Sequence, residues 1–574
     1  MTDPSPLTLP EDPQEAQKVF QSLPHQNQLE LVRRSRGKER LHALFLSEHQ
    51  DELVPSLSEQ EVFLTIKEVG EKDCLELISL TTPEQFQYLL DIEFWKRDQL
   101  DPEKVLHWME ILLESGEKKV IQFIQTVDLE FIVLVLKRFL RVTTLEGEPI
   151  EKMDKIPLFT LDQFYFINFK GLKAKEVFEP FIRTFYRIDG EGYRRLMEAL
   201  ICELESELEE TGYRLRNGRL NDLGFPDFEE ALEIYQFIEP KSLLRRERVF
   251  ELKSPEPLRR ESSIYYLTFI SEGPFFSLIL SRIDDPQEQD RLKQEITALC
   301  NKAIVAEAID LSNLSGTERV IQKVYHYLNL GLQYLSSEEE QKGIEILHSL
   351  PIQKIFQCGL SLTLLLRRRA SLILTNSWLG KDPEHLILLD TPYFDKMEGV
   401  LRKRPAFYRD GVYDDFKDLK DLKAVERFLD SIEALLSFFG ERLKVSTRSL
   451  KEKDLSGSHP GRWQEITLST IFLTALANQV LLGAFKFEPI EKVRLKDLFA
   501  HLFERDVQGK GVIRMDLRDR LREGLSSMES DPHKREHLVE FQDFCLKLFE
   551  EAFGKVPPGE EIDPRFVKGL LIRK

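Results

Sequence analysis

A repeated type of helix start constrains the fold of this chain more than any other feature. In TTPEQFQYLLDIEFW and LDPEKVLHWMEILLE, Thr82 and Asp101 precede Pro83 and Pro102, and a glutamate follows each proline. The capping side chain accepts from free backbone N–H groups, the proline has a suitable φ, and the carboxylate favours the positive end of the helix dipole. Such closely spaced starts predict short helices, and we interpret residues 21–142 as a helical repeat array.

One segment departs from the helical pattern. IPLFTLDQFYFINFKG is rich in aromatic and β-branched residues and is interrupted by the polar pair Asp162 and Gln163. This pattern is typical of a small β-hairpin, which we place near residues 157–170. The sequence therefore predicts a mainly α protein, in which a superhelical N-terminal repeat region is followed by helical domains with one small β-hairpin.

Changes in composition divide the chain into segments. RRERVFELKSPEPLRRESS mixes charged residues with proline and serine, as linkers do, and KVSTRSLKEKDLSGSHPGRW is typical of an exposed loop. The predicted segments are a flexible N-terminus (1–20), the helical repeat array (21–142), a helical domain with the hairpin (143–244), a linker (245–263), a helical domain (264–443), a mobile loop (444–463) and a C-terminal helical region (464–574).

The net charge and the spacing of the cysteines limit the kinds of binding partner and the cellular compartment that we expect for this protein. The net charge of −19 disfavours non-specific binding of nucleic acid, which requires a basic face. The five cysteines lie far apart without a CxxC pair, as in a reduced cytoplasmic protein. The acidic, proline-rich start lacks the apolar core of a signal peptide. The apolar run at 355–366 is shorter than the roughly 20 residues of a membrane span, so it predicts a buried helix and a cytoplasmic protein.

One motif fits a catalytic signature. HKREH matches H-x-x-E-H, in which His533 and His537 share a helix face as metal ligands and Glu536 acts as a general base. Asp531 and Pro532 have the pattern of a helix cap and first helical residue, which places His533 in the first turn. The motif therefore has two interpretations, a metal-dependent hydrolase or an ordinary amphipathic helix, and we favour the second.

Two groups of arginines are candidate anion-binding residues, because guanidinium groups form paired hydrogen bonds with anions. Arg214, Arg216 and Arg219 lie in a polar segment that we interpret as a loop, and Arg402 and Arg404 lie in LLDTPYFDKMEGVLRKRPAFYRDG. The favoured alternative for both groups is a solvated connector or an internal salt-bridge network. We assign no catalytic residue and no cofactor, since the sequence has no phosphate-binding glycine loop, nucleophile elbow or EF-hand loop.

The stretch LLDIEFWKRDQLDPEKVLHW concentrates two tryptophans, a histidine and several acidic residues. Asp101 is explained as a helix cap, and Trp95 and Trp108 fit packing positions on neighbouring helices. Lys96 belongs to the solvated turn between them. We therefore interpret this stretch as a joint between two helices, with a binding site as the alternative.

A family resemblance rests on five phrases: LLDIEFWKRDQLDPEKVLHW, RNGRLNDLGFPDFEEALEIY, LLDTPYFDKMEGVLRKRP, TLSTIFLTALANQVLLG and IDPRFVKGLL. Together they resemble a bacterial family of large helical proteins that is known as a domain of unknown function, over residues 28–571. This resemblance implies a mostly helical cytoplasmic protein and no particular activity. Residues 1–140 also resemble the superhelical N-terminal domain of MgtE-type magnesium transporters. The transporter's membrane helices and nucleotide-binding modules have no counterpart here, so transport is not implied.

The sequence therefore predicts a non-catalytic cytoplasmic protein that serves as a protein–protein interaction or regulatory scaffold, because stacked helices offer long concave binding surfaces. The alternative is a metal-dependent hydrolase that uses the HKREH motif. We expect a protein partner, no nucleic acid, no membrane span and no cofactor.

Overall fold

A computed structural model describes residues 12–96, 98–144, 159–244, 266, 274–505, 511–553, 563 and 567–573. The chain divides into two compact units. Unit 1 comprises residues 1–236, 246–328 and 336–357, and unit 2 comprises residues 237–245, 329–335 and 358–574. The predicted linker, 245–263, lies outside the described residues, as do residues 1–11 of the predicted flexible N-terminus.

Most described residues are helical, which confirms the mainly α fold but not the superhelical repeat. The helices are α1 (Pro13–Ser22), α2 (His25–Arg34), α3 (Gly37–Leu46), α4 (Gln50–Leu53), α5 (Glu59–Val69), α6 (Leu75–Leu80), α7 (Pro83–Glu93), α8 (Pro102–Glu114), α9 (Glu117–Thr126), α10 (Leu129–Phe139), α11 (Leu172–Ile188), α12 (Gly190–Cys202), α13 (Glu205–Asp222), α14 (Phe228–Leu232), α15 (Pro240–Leu244), α16 (Phe275–Ser281), α17 (Pro286–Ala306), α18 (Leu314–Ser336), α19 (Glu340–Ser349), α20 (Ile352–Asn376), α21 (Tyr393–Leu401), α22 (Leu419–Glu441), α23 (Thr447–Glu452), α24 (Leu468–Leu482), α25 (Leu495–Leu502), α26 (Met515–Met528) and α27 (Pro532–Phe553).

Short strands form small sheets between these helices. The strands are β1 (Trp95–Lys96), β2 (Gln99–Leu100), β3 (Leu140–Thr144), β4 (Tyr165–Phe169), β5 (Phe407–Arg409), β6 (Val412–Asp414), β7 (Ser458–His459), β8 (Ile490–Glu491), β9 (Phe503–Arg505), β10 (Gly511–Ile513) and β11 (Ile572–Arg573). Strands β1 and β2, β3 and β4, β5 and β6, and β9 and β10 pair antiparallel. In the remaining sheet, β11 lies between β7 and β8, antiparallel to β7 and parallel to β8.

The predicted hairpin near 157–170 is only partly correct. Strand β4 lies within that range, but its main partner is β3, which precedes the range; Leu140 faces Phe169, and Thr144 faces Tyr165. Phe159 adds an isolated bridge to Ile167. The prediction of a single hairpin is also wrong, because β1 with β2, β5 with β6 and β9 with β10 form further small sheets. The sequence did not indicate them, because strands of two or three residues are too short to show a detectable alternation.

The predicted helix starts are confirmed in unit 1. Thr82 forms a capping box with Gln85, and Ser58 forms a further one with Glu61 at the start of α5. The Asp101 carboxylate accepts two backbone N–H groups of the first turn of α8, at 3.1 and 3.4 Å. These local hydrogen bonds satisfy backbone donors that have no partner within the helix, which is why the helices begin at these residues.

The stretch between α7 and α8 is a joint, as predicted. The hairpin of β1 and β2 reverses the chain there, and Trp95 and Trp108 are 3% and 1% exposed. Trp95 packs beside Tyr213 of α13, with ring centroids 6.0 Å apart. Lys96 is exposed at the turn. The two tryptophans therefore belong to the core of unit 1.

Helix α24 is the central helix of unit 2. Residues 468–478 are all buried, so this helix has no polar face, as expected for one surrounded by protein. Thr467 caps its start, and Gly483 ends it in the left-handed conformation with φ of 71°. Helix α27 packs on it, and the rings of Phe472 and Phe541 meet edge to face with centroids 5.8 Å apart.

Three other observations concern the predicted mobile loop, the cysteines and the membrane-spanning potential of the helices. The predicted mobile loop at 444–463 contains α23 and β7, and its Leu450 and Leu455 are buried in the unit 2 core. Four of the cysteines are buried, and Cys202 is exposed. Within the described residues, no single helix is long and apolar enough to cross a membrane; α19 and α20 reach that length and apolarity only as a pair, across a bend of 119°.

Candidate functional site

Unit 2 contains a pocket of about 530 Å³ at the N-terminal end of α24. We call it the Asp390 pocket, and its lining residues are Asp390, His459, Pro460, Glu465, Thr467, Ser469, Thr470, Leu473, Leu548, Phe549, Glu551, Ala552, Val567, Lys568 and Gly569. The first turns of α24, the last turns of α27 and residues 567–573, which we call the C-terminal segment, each provide a wall. Pockets that bind small molecules typically measure about 300–1,000 Å³, so this volume suits such a ligand.

A carboxylate and three hydroxyl groups meet in this pocket at the start of α24. The backbone N–H of Ser469 donates to Asp390 Oδ2 at 2.9 Å, and the Ser469 hydroxyl donates to Asp390 Oδ1. Thr467 also forms a side-chain hydrogen bond with Asp390. The Thr467 Oγ1 lies 2.9 Å from Ser469 Oγ and 3.2 Å from Thr470 Oγ1. Asp390 therefore acts as a second cap of α24, supplied by a distant part of the chain.

The environment of Asp390 acts on its pKa in two opposing ways. Burial raises the pKa of this carboxyl above its ordinary value, while the hydrogen bonds from Ser469 and Thr467 favour the ionised form. The effect of burial is the larger one. A carboxyl with a raised pKa in a pocket is a common feature of binding and catalytic sites.

The C-terminal segment forms one wall because it is fixed on both sides. Strand β11 pairs with β7 and β8, and the N–H of Leu571 donates to Thr474 Oγ1 of α24 at 2.9 Å. Gly569 has φ of +84°, and a Cβ there would lie 3.2 Å from Leu473 Cδ1. Both the positive φ and the nearby leucine therefore favour glycine at this position, where the segment approaches α24 closely.

Charged side chains surround the opening of the pocket. Glu465, Glu551 and Lys568 are exposed, and His459 is partly buried. The Glu551 carboxylate has one weak ion pair, 4.0 Å from the Lys547 ammonium within α27. The apolar wall is provided by Leu473, Leu548, Phe549, Ala552 and Val567. The pocket thus combines an apolar body with an acidic polar end.

The HKREH motif lies elsewhere in unit 2, at the start of α27. The Asp531 carboxylate accepts the N–H of His533 at 2.9 Å, as predicted for a helix cap, and His533 is exposed. The His537 side chain is 12% exposed. Glu536 forms an ion pair with Arg427 of α22 at 2.9 Å. The part of the chain that the structure describes has no group of three or more His, Cys, Asp or Glu side chains arranged to hold a metal.

The first arginine group lies on helix α13, so the prediction of a loop there is wrong. Arg219 donates to both carboxylate oxygens of Asp91, at 2.7 Å each, and Asp91 is 1% exposed. Arg216 donates to the backbone oxygen of Asp91 and lies 5.9 Å from the Trp95 ring centre. Arg214 is exposed. Two of these arginines therefore join α13 to the end of α7.

The second arginine group lies around the hairpin of β5 and β6. The Arg402 guanidinium stacks 3.5 Å from the ring centre of Tyr413. Arg404 is partly buried and has an interaction partner. Arg409, which neighbours this group, forms an ion pair with Asp421 at 2.8 Å. The structure does not bring Arg402 or Arg404 into the Asp390 pocket.

Asp390, Thr467 and Ser469 were not among the candidate residues predicted from the sequence. One signal was available, because TLST directly before a long apolar run is a typical helix cap. Ser469 and its partner Asp390 are 79 residues apart, so their hydrogen bond could not be inferred from local pattern. Three of the five phrases quoted for the family resemblance meet at this pocket; they contain Asp390, Thr467 with Ser469, and Lys568 with Gly569.

Comparison with known proteins gives one match. A model of a family of unknown function (DUF6178) matches residues 17–573, which confirms the resemblance to a domain of unknown function. No curated protein and no solved structure matches the chain. The resemblance of residues 1–140 to the MgtE-type transporters is therefore not shown.

Proposed function

The chain belongs to this family of unknown function, and we propose that it is a non-catalytic regulatory protein that binds a small organic molecule in the Asp390 pocket. The observation that carries the proposal is the pocket itself, with about 530 Å³ of space, a largely apolar wall and one carboxylate–hydroxyl cluster. Small-molecule sites combine these features, because apolar walls supply affinity and a few placed polar groups fix the orientation of the ligand.

The hydrogen bonds of the cluster favour binding over nucleophilic catalysis. In a serine nucleophile, the hydroxyl donates to a histidine that takes its proton, and a carboxylate orients that histidine. Here the Ser469 hydroxyl donates directly to Asp390, a much weaker base than imidazole. The Ser469 oxygen keeps its proton and retains lone pairs that can accept a hydrogen bond from a ligand.

Ligand screening by thermal denaturation tests the proposal. We expect at least one compound from a library of small amines, acids and alcohols to raise the melting temperature of the full chain, because a ligand that binds only the folded state stabilises it. The variant Ala552→Phe places a large side chain in the pocket wall and should abolish that shift. Ala424→Phe makes the same change at an exposed position of α22 outside the lining and should retain it.

Two results of this screen would contradict the proposal. One is a library in which no compound stabilises the wild-type chain. The other is a screen in which every stabilising compound gives the same shift in Ala552→Phe as in the wild type, since all those compounds then bind elsewhere.

A protein-binding surface is a second candidate function, and the corner between α12 and α13 favours it. Ile201 and Leu204 are 43% and 60% exposed there, beside the exposed carboxylates of Glu203 and Glu207. Exposed apolar side chains with a charged border are typical of protein interfaces. The acidic border suits a partner with basic and apolar residues.

Affinity purification from native cells tests this second candidate. Leu204→Glu should remove a co-purifying protein, whereas Leu172→Glu should not, although Leu172 is 81% exposed and lies in the same unit. Recovery of the same proteins with Leu204→Glu as with the wild type would contradict the assignment of this corner as the interface.

A further inference from the structure

The side chains around the Asp390 pocket indicate the chemical class of its ligand. Among the residues that the structure describes, its lining contains three carboxylates, from Asp390, Glu465 and Glu551, and the ammonium of Lys568. Together with the apolar wall, this excess of negative charge leads us to infer that the ligand is an organic cation, an amine attached to an apolar body. The inference rests on the proposed function and specifies the ligand of the same pocket.

Two features of the pocket favour an anionic ligand, the exposed ammonium of Lys568 and the start of α24, but Asp390 already occupies the second. A helix N-terminus attracts negative charge through its free N–H groups. Here the Ser469 N–H donates to Asp390 Oδ2 at 2.9 Å, so the carboxylate of the protein takes the place of an external anion. A ligand carboxylate in the pocket would meet that charge at close range, and Lys568, the ammonium in the described lining, is exposed to solvent.

The carboxylates are available to a cation. Within the described part of the chain, the exposed side chain of Glu465 has no hydrogen bond or ion pair, and the contact of Glu551 is the one with Lys547 at 4.0 Å. Asp390 uses both oxygens for the α24 cap, but a carboxylate can accept about four hydrogen bonds. A nearby ammonium would also favour the ionised form of Asp390, whose pKa burial raises.

The apolar wall accounts for the rest of the ligand. Leu548 is 36% exposed and Ala552 is exposed, so these two residues present apolar surface at the pocket, whereas Leu473 and Phe549 are each 3% exposed and Val567 is 1% exposed and present little. Transfer of an alkyl or aromatic group from water to such a wall is favourable in proportion to the apolar area that is buried. A small inorganic cation would leave this wall unused, which is why the apolar body is part of the inference.

Titration calorimetry of the full chain with three matched probes tests the inference. Octylammonium, 1-octanol and octanoate share one alkyl chain and differ in the charge of the head group. We expect octylammonium to bind more tightly than 1-octanol, and 1-octanol more tightly than octanoate. Binding of octylammonium should weaken as ionic strength rises, and Ala552→Phe should abolish it.

The double variant Glu465→Gln/Glu551→Gln removes two exposed carboxylates without removing the cap of α24. It should weaken octylammonium roughly fivefold and leave 1-octanol unchanged, as expected for the loss of two exposed charge interactions. Glu384→Gln/Glu523→Gln removes two exposed carboxylates outside the lining and should leave both probes unchanged.

The outcomes separate this inference from the proposed function. Two outcomes overturn the inference of a cationic ligand while the pocket remains a binding site. One is octanoate binding that is as tight as octylammonium binding. The other is an octylammonium affinity that does not fall in Glu465→Gln/Glu551→Gln. Absence of octylammonium binding also overturns the inference. The proposed function itself fails in a different experiment, if the library screen finds no compound whose stabilising effect depends on Ala552.

Discussion

The two buried tryptophans of unit 1 should respond differently to the same substitution. Trp108 Nε1 donates to Glu93 Oε2 at 3.3 Å, and the Glu93 side chain is almost fully buried. Trp95 Nε1 is buried as well, but it has no hydrogen-bond acceptor among the described residues. Replacement by phenylalanine removes the indole N–H at both positions and retains a buried aromatic ring. We therefore expect Trp108→Phe to be more destabilising than Trp95→Phe.

The structure sets the size of the difference. Both side chains are at most 3% exposed, so the loss of packed atoms costs a similar amount in each variant, on the order of 1–2 kcal/mol. At Trp108, the buried carboxylate also loses a donor, and a hydrogen bond to a charged group contributes about 1.5–3 kcal/mol. The bond is long at 3.3 Å, which favours the lower end of that range. At Trp95, no hydrogen bond is lost.

Urea unfolding followed by far-ultraviolet circular dichroism measures the difference. We expect Trp108→Phe to lower the free energy of unfolding by about 1–2 kcal/mol more than Trp95→Phe. Both positions lie in unit 1, so they can be compared in the same unfolding transition. Equal costs for the two variants, or a larger cost at Trp95, would refute the assigned roles of the two N–H groups.

Three further predictions concern other parts of the chain. Asp101→Ala should lower the free energy of unfolding in urea by about 1 kcal/mol, because the cap of α8 is lost. Lys96→Ala at the exposed turn should change it by no more than about 0.5 kcal/mol. Equal effects of the two substitutions would contradict the capping role of Asp101. Burial lowers the pKa of Lys119 from 10.5 to about 7, so the unfolded chain binds more protons between pH 7 and about 10. Stability should therefore rise over that range by an amount on the order of 3 kcal/mol, and Lys119→Met should remove this rise; an equal rise in the variant would contradict it. His533→Ala and His537→Ala should leave the metal content of the purified protein unchanged in elemental analysis, and loss of stoichiometric zinc in either variant would support the hydrolase alternative instead.

Features set by neighbouring residues could be predicted from the sequence. The caps at Thr82 and Asp101 depend on residues two or three positions away, and the structure confirms both. The packing role of Trp95 and Trp108 followed from their positions on either side of a turn. A local pattern was sufficient in each case, because the capping hydrogen bonds and the helical periodicity are themselves local.

Features set by distant residues could not be predicted. Arg219 and its partner Asp91 are 128 residues apart, and the segment around Arg219 has the composition of a polar loop. The charges of Arg216 and Arg219 are explained by Asp91, whose backbone oxygen and carboxylate accept their hydrogen bonds. The Asp390 pocket likewise requires the C-terminal segment to pair with β7 and β8 before Gly569 can contact α24. Its polar residues are ordinary in sequence and acquire a role only through tertiary contacts.

The measurement that tests the central proposal most directly is native mass spectrometry of the chain purified from its own cells. We predict one small organic molecule per chain, with the mass of an amine, in the wild type and in Ala424→Phe, and none in Ala552→Phe. Chains without a bound molecule in all three samples, or the same occupancy in Ala552→Phe as in the wild type, would contradict a ligand site in the Asp390 pocket.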